Sequence, residues 1–125
     1  MKRVIKTDKA PKPIGPYSQG ILVGKLLFIS GQIPVVPETG ELIKGDIERE
    51  TEQILKNIKA IVEETGGGMD NIVKTTIYIT DVGNFSKVNE TYGKFFQKEP
   101  PARATVGSNL PKGVDIEIEA IAVLE

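Results

Sequence analysis

The segment Val114-Asp115-Ile116-Glu117-Ile118-Glu119-Ala120-Ile121-Ala122-Val123-Leu124 decides the architecture. Successive side chains on a strand point to opposite faces, so this alternation predicts a long last strand. Val114, Ile116, Ile118, Ala120 and Ala122 form one apolar face. Asp115, Glu117, Glu119, Ile121 and Val123 form the other, which begins charged and ends apolar. The first face needs cover from other elements; the second is not a plain solvent face.

Working back along the chain supplies that cover. Arg103 to Gly107 reads as a short strand. Phe85, Val88, Tyr92, Phe95 and Phe96 recur at helical spacing, and Pro100-Pro101 ends that helix. Ile72 to Thr80 is rich in β-branched residues and predicts a strand, with Ile72, Lys74, Thr76, Tyr78 and Thr80 opposed to Val73, Thr75, Ile77 and Ile79. Another helix opens at Asp46, a plausible N-cap, and ends at Gly66-Gly67-Gly68. Ile47, Thr51, Ile54, Leu55, Ile58, Ile61 and Val62 make its apolar stripe. Residues 31–45 read as a loop longer than most connections. Residues 21–23 and 26–29 form a hairpin across Gly24-Lys25. The first 18 residues read as a short strand and an extended, proline-rich segment. Together these predict one α+β domain over residues 1–125: a mixed β-sheet with two helices packed on one face. The apolar groups left on the other face predict a homo-oligomer whose sheets face one another.

Composition narrows the chemistry. Sixteen basic residues nearly balance seventeen acidic ones, so neither nucleic acid nor a membrane surface is an expected partner. No apolar run is long enough to span a membrane, and the start lacks the pattern of a signal peptide, which leads us to expect a cytoplasmic protein. The chain has no cysteine and no histidine. Thiol nucleophiles, Ser-His-Asp catalysis and zinc held by Cys or His are thereby excluded. Proton transfers fall to carboxylates, Tyr, Lys, backbone groups or bound water. Hydrolysis of an already electrophilic bond suits that inventory. No motif for a cofactor is visible, and none is expected.

Several residues could carry such chemistry. Arg103 opens a strand beside small residues and can present two parallel donors to a carboxylate; a surface arginine in a weak ion pair explains the same position. Glu119 lies at the border of the charged and apolar ends of its face, where desolvation would raise its pKa; a structural carboxylate is the alternative. Glu117 is expected to be the more solvated of the two. Tyr17 is a hydrogen-bond donor for a ligand or a lid on the core. Ser30 and Gly31 end the hairpin's second strand, where a plain turn also accounts for them. Asn89 lies off its helix's apolar stripe, facing solvent or a site.

Four segments together resemble one family: Gly15-Pro16-Tyr17-Ser18-Gln19, Phe28-Ile29-Ser30-Gly31-Gln32-Ile33-Pro34, Pro101-Ala102-Arg103 and Ile118-Glu119-Ala120-Ile121-Ala122. They are similar to the hallmark segments of the reactive-intermediate deaminase (Rid) family, of its imine-deaminase type. The resemblance covers nearly the whole chain. It implies a chorismate-mutase-like fold, a homotrimer with active sites between subunits, no cofactor, and hydrolysis of 2-imino acids such as 2-iminobutanoate and 2-iminopropanoate to 2-keto acids and ammonia. It assigns Arg103 to the substrate carboxylate, Glu119 to the attacking water and the backbone of Thr105 to completing the site, with Tyr17, Ser30, Gly31 and Asn89 lining the pocket. Thr105 departs from the family pattern, where cysteine is common; acting through its backbone, threonine is harmless. An endoribonuclease and a non-catalytic carboxylate-binding or chaperone-like trimer remain as alternatives.

Overall fold

The structure, a computed structural model, describes residues 1–125. In chain order the elements are β1 (Lys2–Ile5), β2 (Gly20–Val23), β3 (Leu26–Gln32), α1 (Ile47–Glu64), β4 (Ile72–Ile79), α2 (Phe85–Phe95), β5 (Ala102–Gly107) and β6 (Ile116–Val123). They build one six-stranded sheet ordered β1-β2-β3-β6-β4-β5. β4 and β5 run parallel and every other pair is antiparallel, so the sheet is mixed. The last strand thus lies in the middle, between β3 and β4.

Both helices cover one face. In β6, Ile116, Ile118, Ala120 and Ala122 are buried, and Leu27, Ile29, Thr75, Ile77 and Ile79 join them from β3 and β4. The predicted stripe of α1 is buried throughout, from Ile47 to Val62. Asp46 caps α1, its Oδ1 accepting from the Arg49 amide at 3.2 Å. Tyr92 of α2 meets β4 through its hydroxyl, 2.6 Å from Thr75 Oγ1. Gly24 takes φ 60° at the hairpin turn, a conformation that costs glycine little. Ile58, at the centre of the α1 stripe, is fully buried. Ile58→Ala is expected to cost about 2–5 kcal/mol through lost burial and a residual cavity. A urea midpoint unchanged from that of the natural chain would rule this out.

Two register irregularities matter. In β4 the pairing with β6 slips between Ile72 and Lys74. Alternation alone places Ile72 with Lys74; the slip turns Ile72 into the core, while Val73 is exposed. In β3 the pairing with β6 slips between Ile29 and Gln32, leaving Ser30 and Gly31 outside the regular ladder. Asp115, just ahead of β6, also departs from the alternation: it lines a hollow on the helix side together with Glu50 of α1.

The uncovered face divides as its sequence suggests. One half is apolar: Phe28 and Leu26 of β3 are each 43% exposed, and they stand level with Ile121 and Val123 of β6. The other half holds Glu117 and Glu119, level with Tyr78 and Thr76 of β4.

Candidate active site

The candidate residues gather into two groups, which one chain keeps apart.

The first group lies where the edge strand β5 meets α2. Arg103 is level with Thr75, and Thr105 with Ile77, so both rise on the helix side of the sheet. Arg103 donates from Nη1 to Asn89 Oδ1 at 2.8 Å. Its guanidinium carbon lies 5.3 Å from the Phe85 ring centre and 5.0 Å from that of Tyr92, within the range of cation–π attraction. No carboxylate pairs with it; the chain's one ion pair is Lys56–Glu52. A guanidinium has five N–H donors. Here one is used by Asn89 and the aromatic faces fix the plane, so a fork remains for an incoming carboxylate or phosphate. Phe85 and Tyr92, read from sequence only as core residues, serve as its platform. Burial pushes the Tyr92 phenol up, while the Thr75 bond and the Arg103 charge push it down. Beside this group the Thr105 hydroxyl is buried without a hydrogen-bond partner.

The second group lies at the bulge of β3. Ser30 donates from its hydroxyl to the Ser18 carbonyl, and its amide donates to the Gln19 carbonyl at 3.0 Å. The Ser30 hydroxyl proton is therefore committed to structure. Tyr17 is 48% exposed, and its phenolic oxygen accepts from the Ile14 amide at 3.3 Å, which leaves its proton for a ligand. Gln19, which sequence reading used only as part of a motif, holds this segment in place. Its Oε1 accepts from the Thr7 amide at 2.7 Å, and its Nε2 donates to the carbonyls of Thr7, Ala10 and Pro11. No local pattern marks such a role, because the partners lie 8–12 residues away.

Within a single chain the two carboxylates stand in the reverse of their expected environments. Glu119 is exposed; Tyr78 donates a long hydrogen bond of 3.5 Å to its Oε2. Glu117 is half-buried against Gly31. Burial, and then repulsion from Glu119, push the Glu117 carboxyl above its ordinary value. The cause is the β3 bulge. A Cβ on Gly31 would stand 2.9 Å from Glu117 Cδ and overlap Oε2, so glycine alone lets the carboxylate sit there. Gly31→Ala is therefore expected to displace the Glu117 carboxylate while the fold survives, since the end of a flexible side chain can swing away. The check is a circular-dichroism melt alongside the assay described below. Turnover falling at least tenfold with the melt preserved is the expected pair of results.

The groups do not meet within one chain. Three strand spacings separate β3 from β5, roughly 14 Å, and the groups open on opposite faces. The family resemblance places the site between subunits, and a single chain holds the guanidinium and the carboxyl on separate surfaces. Each group has its own chemistry: a guanidinium fork on an aromatic platform in one, and a desolvated carboxyl near a phenol donor in the other.

Comparison with known proteins adds the following. The family described as "Endoribonuclease L-PSP" matches residues 7–124. The human protein named 2-iminobutanoate/2-iminopropanoate deaminase is 46% identical over 124 residues, covering 98% of this chain and 90% of the human one. The crystal structure of YyfA from Yersinia pestis, described as a member of the conserved Rid protein family, is 50% identical. It superposes with a TM-score of 0.96 over 99% of this chain and 100% of that one. The crystal structure of E. coli TdcF with bound serine is 45% identical, with a TM-score of 0.94 over 98% of this chain and 99% of that one.

Proposed function

The chain belongs to the L-PSP, or Rid, family, and from that premise we propose that it hydrolyses reactive 2-imino acids, 2-iminobutanoate and 2-iminopropanoate among them, to 2-keto acids and ammonia. The observation that carries this reading is Arg103: an exposed guanidinium without a carboxylate partner, oriented by Asn89 and two aromatic rings. It suits a small carboxylate in two-point contact. The deaminase name of the human relative and the serine held by the E. coli relative agree with a ligand of that kind.

Each group then has a task. Arg103 holds the substrate carboxylate, and Asn89 keeps the fork in its plane. Glu117 of a neighbouring subunit, instead of Glu119, takes a proton from water as the water oxygen bonds to the imine carbon. The imine nitrogen takes a proton from solvent as the C=N double bond becomes single, matching the one released to solvent at the end. Glu117 next returns its proton to that nitrogen, the C–N bond breaks, ammonia leaves, and the hydroxyl oxygen becomes the keto oxygen as its proton departs to solvent. A carboxyl whose pKa is raised toward neutrality suits this shuttle. The Thr105 backbone and the Tyr17 phenol complete the polar lining. Much of the rate comes from holding an anionic electrophile beside a positioned water.

Assembly follows from the same arrangement. The apolar half of the open face, with Phe28 and Leu26, is what a second copy would cover. We place the complete site between adjacent copies of a homotrimer. The test of function is imine decay: an amino-acid oxidase generates the imine from 2-aminobutyrate, and its loss is followed with and without this protein. Faster loss with equimolar keto acid is the expected result; loss at the spontaneous rate would refute the proposal.

The family's description favours a second reading, cleavage of RNA. Binding of RNA would then weaken steeply with salt, because phosphate contacts release counterions. A nuclease-free preparation that neither binds nor cuts RNA at low salt removes that reading.

A further inference from the structure

Away from both groups, a hollow of about 470 Å3 opens where α1, the β4–α2 connection and the entry to β6 meet. Glu50 and Asp115 line it, with Asp46 and Glu48 from the start of α1, Asp81 from the connection and Lys87 from α2. Glu50 is 1% exposed. Its Oε2 accepts from the Asp46 amide at 3.0 Å, while its Oε1 is buried with no donor among amides, hydroxyls or cationic groups. The Asp115 carboxyl lines the same hollow and is the side chain whose hydrogen bond and charge act on the Glu50 carboxyl. Two carboxylates cannot both be charged at such a contact; one proton between them turns repulsion into a bond.

We propose that Glu50 and Asp115 share a proton and form a pH-sensitive latch joining the first turn of α1 to the entry of β6. The neighbouring charges agree. Asp46 adds to the negative field, its Oδ1 already engaged by the Arg49 amide, and Asp81 accepts from the Gly83 amide. Lys87 lines the hollow but makes no ion pair with any of them. The opposite end of the latch is anchored: the Thr80 amide donates to the Asp115 carbonyl at 3.1 Å. β6 carries Glu117 two residues beyond Asp115, so loosening there reaches the strand that bears the candidate acid. The latch itself rests on no assumption about the reaction.

The sign of the effect is fixed by linkage. Burial first, and then Asp115, raise Glu50 from 4.5 to about 7. Between those values the folded chain holds a proton that the unfolded chain has released. Stability is therefore full at the acidic end of the window and falls as pH rises through it. The expected fall in the folding equilibrium constant from pH 4.5 to 8 is on the order of 100-fold. Glu50→Gln replaces the proton by a permanent amide donor and removes most of that fall; Asp115→Asn does the same from the other side. Glu117, raised in the same direction, contributes a fall that stays in both variants. Urea midpoints across this range, and carbon-13 titration of Glu50 in the natural chain, test the proposal. Parallel falls in natural and variant proteins, or a Glu50 carboxyl titrating near 4.5, would overturn it. So would calcium chloride at pH 8 restoring the pH 6 midpoint where sodium chloride of equal ionic strength does not, because the pair would then be a cation site.

Discussion

Arg103→Ala is expected to lower kcat/KM for 2-iminobutanoate by roughly 30- to 5,000-fold, the equivalent of about 2–5 kcal/mol for truncating one partner of a charge-assisted pair. The reason lies in how the side chain is held. A surface arginine pays rotamer entropy each time it grips a ligand, whereas Arg103 is fixed beforehand by Asn89 Oδ1 at 2.8 Å and by the Phe85 and Tyr92 rings. Its loss removes the contact and the pre-orientation together. Arg103→Lys is expected to recover little, because an ammonium cannot offer two parallel donors in one plane. Rates come from the oxidase-coupled assay, with the imine generated in place. An alanine variant with natural turnover would remove Arg103 from the mechanism.

Glu117→Gln is the second large effect. A glutamine keeps the shape beside Gly31 and removes the ability to shuttle a proton, so kcat is expected to fall about 10²- to 10⁴-fold while the fold persists. Glu119→Gln should do much less, for Glu119 is exposed and acts on Glu117 chiefly by repulsion. A pH profile sharpens the distinction. The base form of Glu117 appears only above its raised pKa, so the acid limb of kcat/KM is displaced upward from an ordinary glutamate's. In Glu119→Gln that limb shifts down, because the repulsion is gone; in Glu117→Gln it disappears. A larger loss from Glu119→Gln than from Glu117→Gln would return the role to Glu119.

Those two carboxylates also show where sequence reading runs out. Alternation in β6 assigns each residue to a face, and it does so correctly from Ile116 to Val123. It says nothing about what stands opposite. Glu117 is desolvated because β3 bulges at Ser30-Gly31 and glycine leaves room, a fact of pairing between strands about 85 residues apart. Ile72 is the same lesson in β4, where a slip in register overrides a period of two. The stripe of α1, by contrast, was fully legible. A helical period is repeated over five turns and needs no partner to be seen. Motif residues fall between these cases. Arg103 could be picked out as a candidate carboxylate ligand, yet its aromatic platform depends on α2 lying across β5. Gln19 and the Glu50–Asp115 contact are long-range in the same way.

The division of the site between copies has one direct test. Arg103→Ala and Glu117→Gln subunits, each inactive alone, are unfolded, mixed in equal amounts and refolded together. If each site takes Arg103 from one subunit and Glu117 from its neighbour, random mixing rebuilds intact sites at about a quarter of the interfaces. The mixture is expected to recover about a quarter of natural activity toward 2-iminobutanoate. A mixture as inactive as its parents, with assembly confirmed by native mass measurement, would contradict a site shared across the interface.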